Sequence, residues 1–295
     1  MSIQTLPVCS DDGHRFNLSL QRAEFDAPDQ APLLLFLPAM GTRARFYNRL
    51  GGEMARSGIS FAAMDWRGIE SSSQRASRRV DWGYEELIAQ DVAAAKRCLR
   101  EVLPNASLWM GGHSLGGQLS AQFAGRAPQE VQGLVLIAAG TVHFRAWPGI
   151  SGLRLLALTQ TAWLLSKVLG HYPGQTLRFA GREARSVIRD WAGTARFGRY
   201  RFGPDPDAQE AAMRELKKPV LALSFSGDTL APEAAMNVLV SKMPACKVTR
   251  WHWAADKTHG ETLDHFSWAK RPEIIAPAVS HWIDEQQAAL SPASA

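Results

Sequence analysis

Five short apolar runs recur along this chain with no polar alternation inside them: "APLLLFLP" (31–38), "ISFAAMD" (59–65), "ASLWMGGHS" (106–114), "VQGLVLIAA" (131–139) and "PVLALSFSGD" (219–228). A strand that reads as continuously hydrophobic is buried on both faces, so it needs a layer above and a layer below. Helix-like stretches separate the runs, among them "YEELIAQDVAAAKRCLREVL" over 84–103. Buried strands alternating with helices predict an α/β fold, with a mostly parallel, doubly wound central sheet covered on both faces. Near the N-terminus "GHRFNLSL" alternates apolar and polar residues after the turn-like "SDDG", which predicts a hairpin. Near the other end "CKVTRWHW" reads as the last strand and "PEIIAPAVSHWI" as the last helix.

The alternation stops between 141 and 216, where no convincing buried strand is found. The predicted organisation is therefore a core over 1–140, an insertion over 141–216 and the rest of the core over 217–295. Within the insertion "GLRLLALTQTAWLLSKVLG" (152–170) is apolar around much of its girth. A membrane span needs ~20 mostly apolar residues, and Arg154, Gln160 and Lys167 interrupt this one; it is expected to dock over something apolar. The charge is localised in the same place. Of a net +5, the segment from Thr141 to Gly203 holds ten Lys/Arg against two Asp/Glu, and the remainder is slightly acidic. A basic excess confined to one segment speaks against nucleic acid as a partner, while peripheral contact with a membrane surface stays open. The start, "MSIQTLPVCSDDGHR", has neither a basic lead nor an apolar run, so no signal peptide is read. Cys9, Cys98 and Cys246 stand far apart with no CxxC pair. Reduced thiols and a cytoplasmic location are expected, with no disulfide frame and no zinc site.

"GGHSLGG" (111–117) contains the G-x-S-x-G pattern centred on Ser114. An apolar strand precedes it and a helix-like stretch, "LGGQLSAQFAGRA", follows. That context makes a sharp strand-to-helix turn with the serine hydroxyl exposed above the sheet. The flanking glycines remove Cβ atoms that would collide, and the helix N-terminus offers N–H groups to developing negative charge.

With "LPAMG" after the third strand, "DWRGIESSS" after the fourth, "GHSLGG" and "GDTLAP" before the late histidines, the chain resembles the α/β-hydrolase superfamily over nearly its whole length. Within it the match is to capped serine hydrolases of the serine-aminopeptidase and monoacylglycerol-lipase kind, and the insertion stands where their cap does. The resemblance implies a Ser, Asp/Glu, His order along the chain. Asp228, just past a strand end with Gly227 before it and Pro232 after it, is the expected acid. Asp65 in "DWRG" precedes the serine and is expected to organise its loop with Arg67; Asp256 and Asp264 lack a strand-end placement. Of the late histidines, His252 and His281 fall in the last strand and last helix. His265, in an His-Phe segment leading to Pro272, is favoured as base over His259. The oxyanion hole is expected from the N–H groups of Leu115 and Met40. Many family members carry His-Gly where this chain has Pro38-Ala39, and proline has no N–H, so Ala39 stays as an alternative donor.

The expected activity is hydrolysis of a small-molecule carboxylic ester through an acyl-enzyme, with no cofactor and no metal. Leu156, Trp163 and Leu164, at near-helical spacing, are expected to hold the acyl chain. Thioester, amide or acyl-transfer chemistry would use the same groups. A non-catalytic protein using the fold as a ligand pocket is the reading from another class.

Overall fold

The computed structural model describes residues 2–24, 29–254 and 262–290. Strands β1 (Gln4–Cys9) and β2 (Arg15–Gln21) form the expected hairpin, paired antiparallel from Gln4 against Leu20 to Cys9 against Arg15. The apolar runs become β3 (Leu33–Leu37), β4 (Ser60–Met64), β5 (Leu108–His113), β6 (Leu134–Ile137) and β9 (Pro219–Phe225), and β10 (Lys247–Trp253) closes the sheet. The eight strands lie in the order β1-β2-β4-β3-β5-β6-β9-β10, and every pair from β4 onward is parallel.

Side chains of successive strand residues point to opposite faces, and the two faces carry separate cores. Leu33, Leu35 and Leu37 join Met110, Leu134 and Leu136 in one cluster. Leu34 and Phe36 join Trp109, Val135 and Ile137 in the other. Each such side chain, fully buried, contributes about 1.5–3 kcal/mol, so neither face can be given up to solvent. The first face is covered by α2 (Tyr84–Glu86), a π-helical turn (Leu87–Val92), α3 (Ala93–Val102), α4 (Leu115–Arg126) and α9 (Glu233–Ser241). The second is covered by α1 (Asn48–Arg56), α10 (Ser267–Lys270) and α11 (Ala276–Leu290).

Between β6 and β9 run α5 (Ile150–Leu169), β7 (His171–Pro173), α6 (Gly174–Leu177), β8 (Arg182–Ala184), α7 (Arg185–Phe197) and α8 (Ala208–Glu215). β7 and β8 pair antiparallel as a ribbon separate from the main sheet. The segment adds no strand to the main sheet, and its ribbon is short and only partly buried. Three residues a side are too few to leave a period in the sequence. Helix α5 packs against α7, where Gln160 Nε2 donates to Ala192 O at 2.9 Å, and its buried residues, Gly152, Thr159, Ala162 and Ser166, are small or polar. Four of its bulky residues point outward: Ile150, Leu153, Leu164 and Val168 are each more than half exposed.

Asp65 organises its loop as expected, accepting from Ala44 N at 2.9 Å and Ser71 Oγ at 2.8 Å. Arg67 is not its partner. The guanidinium turns inward to Asp91 Oδ1 at 2.6 Å and to Asp12 Oδ2 at 2.6 Å, and His14 Nδ1 meets the same Asp91 oxygen at 2.9 Å. Burial alone would raise the Asp12 pKa, but hydrogen bonds from Arg67, Ser10 and the His14 N–H, together with the Arg67 charge, outweigh it and hold the carboxyl well below the usual range. The network ties the N-terminal hairpin to the loop after β4.

Candidate active site

β5 ends at His113 and α4 begins at Leu115, leaving Ser114 alone at the turn with φ 55° and ψ −118°. A non-glycine residue there costs roughly 1–3 kcal/mol and persists only where the surroundings over-determine it. Here they do. A Cβ on Gly112 would lie 2.3 Å from the carbonyl carbon of Gly116, and one on Gly116 would lie 1.9 Å from Leu37 O. Main chain packs on main chain, and the serine N–H is held by Ile137 O at 3.2 Å.

The serine faces a cavity of about 580 Å³ whose wall also includes Met40, Leu115 and His265. His265 lies on the loop after β10, 6% exposed, with Nδ1 2.8 Å from Asp228 Oδ2. Asp228 is itself fixed, since its Oδ1 accepts from Leu230 N and Ala231 N, both at 2.8 Å. The contact engages Nδ1, and Nε2 has no partner among the described residues. No hydrogen bond joins Ser114 Oγ to His265 among the described residues, and such contacts often tighten only with substrate bound. Trp268 Nε1 donates to His265 O at 2.9 Å, pinning the loop from behind.

The candidate donors for an oxyanion are separated by a contact that sequence reasoning did not foresee. Ala39 N–H is taken up by Tyr47 Oη at 3.0 Å, and the same hydroxyl meets His113 Nδ1 at 2.8 Å. Burial, then the nearby His265, pushes the His113 pKa well below its ordinary value, which favours the neutral ring. Ala39 is therefore not available. Met40 N–H and Leu115 N–H donate to no other described residue. Met40 sits in a turn closed by Thr42 N to Ala39 O at 3.0 Å, whose third residue, Gly41, takes φ +71°, a conformation glycine adopts at no steric cost.

Other residues fall elsewhere. His252 Nδ1 bonds Ser224 Oγ at 2.9 Å within the sheet, and the His281 side chain is 77% exposed on α11. Asp264 caps the short α10, accepting from Phe266 N and Ser267 N. His259 and Asp256 lie outside the described residues. Leu156, Trp163 and Leu164 do not line the cavity. The face of α5 that does is formed by Ser151, Arg154, Leu155 and Leu158. Trp163 packs on the core and Leu164 is 58% exposed. A helix apolar on every side gives spacing nothing to choose between. More of the apolar wall comes from Val142, Trp147, Phe179 and Trp191, scattered over loops and α7 with no periodic signal, and from Leu230 and Phe266. No three His, Cys, Asp or Glu side chains group as a metal site among the described residues.

The parallel sheet, the strained serine turn after β5 and the loops at the strand ends define an α/β-hydrolase. The structure is similar to esterase Est1E of Butyrivibrio proteoclasticus with ferulic acid bound, at a TM-score of 0.66 and 16% identity over 95% of this chain and 99% of that one. It is also similar to a malate-bound thermophilic esterase from Thermogutta terrifontis, at a TM-score of 0.62 and 16% identity over 96% and 99%. The family described as serine aminopeptidase, S33, matches residues 28–260, and the chain belongs to that family. A pimeloyl-[acyl-carrier protein] methyl ester esterase of Shewanella sp. (strain MR-7) is 28% identical over 129 residues, 42% of this chain and 43% of that one, so less than half of that relative's length is spanned.

Proposed function

We propose that the chain is a serine esterase that hydrolyses carboxylic esters through an acyl-enzyme, using Ser114, His265 and Asp228. One observation carries the reading: a strained serine, a histidine fixed by a buried carboxylate, and two unengaged backbone N–H groups face or border a single apolar cavity. Ser114 Oγ attacks the ester carbonyl carbon as His265 Nε2 takes its proton, and the carbonyl π pair moves onto oxygen, where Met40 and Leu115 N–H receive it. The tetrahedral species collapses, and His265 gives the proton to the departing alcohol. Water then repeats the sequence on the acyl-enzyme, and Asp228 holds the imidazole tautomer throughout. The insertion acts as a cap, since its residues make most of the acyl wall.

Arg154 and Arg178 stand in the cavity wall and pair with no described carboxylate. They favour an acyl group with an anionic end. An ester whose acyl group ends in a carboxylate should therefore be cleaved with a severalfold higher kcat/KM than its neutral isostere at low salt. That advantage should shrink as the screening length falls from about 30 Å at 0.01 M to about 8 Å at 0.15 M. Equal rates at every salt concentration would reduce the pocket to a plain apolar one.

The bulky face of α5 beside that cavity supports peripheral contact with an anionic bilayer. From Thr141 to Gly181 the chain has Arg145, Arg154, Lys167 and Arg178 and no Asp or Glu. The chain should sediment with vesicles containing phosphatidylserine and not with phosphatidylcholine alone, and Leu164→Asp with Val168→Asp should abolish this. Equal binding to both vesicles, or a stable dimer through α5, would contradict it. No helix among the described residues is long and apolar enough to cross a membrane.

A further inference from the structure

Glu183, in β8, is a buried carboxyl that the proposed chemistry does not use. It is 6% exposed, no described cation pairs with it, and burial pushes its pKa up to about 7. Its hydrogen-bond partner is the N–H of Gly181, at 2.8 Å. An unpaired buried carboxyl is costly, so what it holds in place matters.

Gly181 ends a loop of unusual backbone. Arg178 and Ala180, neither of them glycine, adopt φ values of 57° and 61°. The loop folds back on itself, with Phe179 N donating to Gly174 O at 3.0 Å, and a Cβ on Gly174 would meet Gly181 O at 2.3 Å. Its outer side lies directly on the turn that carries Met40. A Cβ on Gly41 would fall 2.2 Å from Gly181 N and 2.5 Å from the carbonyl carbon of Ala180. No side chain separates the two segments, so a displacement of one is passed to the other.

We infer that Glu183 is a positioning residue for the oxyanion hole: by holding Gly181 N–H it sets the 178–181 loop against Gly41, and through Gly41 it sets the Met40 N–H. The inserted segment thereby completes the catalytic machinery as well as covering it. This rests on the esterase reading above. An oxyanion donor acts only when aimed at the oxygen of the tetrahedral species, and deleting one costs on the order of 10²–10³ in kcat. Misaiming it costs less.

The test is ester hydrolysis by folded variants. Glu183→Ala removes the acceptor and is expected to lower kcat by about 10- to 100-fold while KM moves less than about threefold. Glu183→Gln keeps an acceptor oxygen and is expected to restore kcat to within about threefold of the parent. Gly181→Ala is the second probe, useful if Glu183→Ala fails to fold. Its Cβ would approach Glu183 Oε1 and Ile69 Cδ1 to 2.9 Å and Gly41 Cα to 3.2 Å. It should lower kcat in the same direction. Unchanged kcat in folded Glu183→Ala or Gly181→Ala overturns the inference, as does an equal loss in Glu183→Gln and Glu183→Ala. Hydrolysis by the parent that survives Ser114→Ala would instead bring down the esterase reading itself.

Discussion

Ser114→Ala is expected to leave a folded protein with ester hydrolysis reduced on the order of 10⁶-fold, the scale reached when the nucleophile of a Ser-His-Asp unit is deleted. The fold should survive because the turn is set by its neighbours. The serine N–H still reaches Ile137 O, and the close main-chain contacts belong to Gly112 and Gly116. Alanine has the same Cβ, so the backbone strain at φ 55° is unchanged. Thermal unfolding midpoints within a few degrees of each other, alongside steady-state rates on a p-nitrophenyl ester, would check both halves. Residual activity above a few per cent in a pure preparation would mean another nucleophile.

His265→Ala should cost nearly as much, and the double variant with Ser114→Ala should add little, since the two act as one unit. Asp228→Asn is the sharper probe. Its Oδ1 is committed to two N–H donors, Leu230 and Ala231, so an amide can only seat its oxygen there. The NH₂ must then face His265 Nδ1. That forces the ring proton onto Nε2, the nitrogen needed as base, and kcat should fall by about 10⁴-fold. His259→Ala should be mild by comparison. If His259→Ala were the damaging change and His265→Ala the mild one, the roles given to these two residues would be reversed.

The strands were legible because burial on both faces writes continuous apolar runs, and each such run from β3 to β9 falls where it was expected. Ser114 was legible for a local reason, since glycines at a strand-to-helix turn leave a compact signature. Register and side-chain partners were not. That Ala39 gives its N–H to Tyr47, leaving Met40, depends on a hydroxyl eight residues away and on a histidine across the sheet. The acyl wall was misread for a different physical reason. Leu156, Trp163 and Leu164 looked suited to a pocket because they are apolar at near-helical spacing, yet the residues α5 buries are Gly152, Thr159, Ala162 and Ser166. Small residues permit close helix approach, and a search for bulky ones passes over them. Glu183 carried no signal at all, because its burial follows from a two-strand ribbon too short to announce itself.

The contacts among Leu37, Gly112 and Gly116 are backbone against backbone, as is that between Gly41 and Gly181. Such joints have no rotamers to rearrange and no methyl groups to trade, so they accommodate substitution poorly. The freedom to accept new side chains lies on the opposite wall, where Val142, Trp147, Leu155 and Phe179 meet the cavity with their ends. Sequence drift in a chain built this way is therefore channelled: the apparatus proposed to break the bond resists change, while the surface proposed to choose which bond is broken can vary residue by residue.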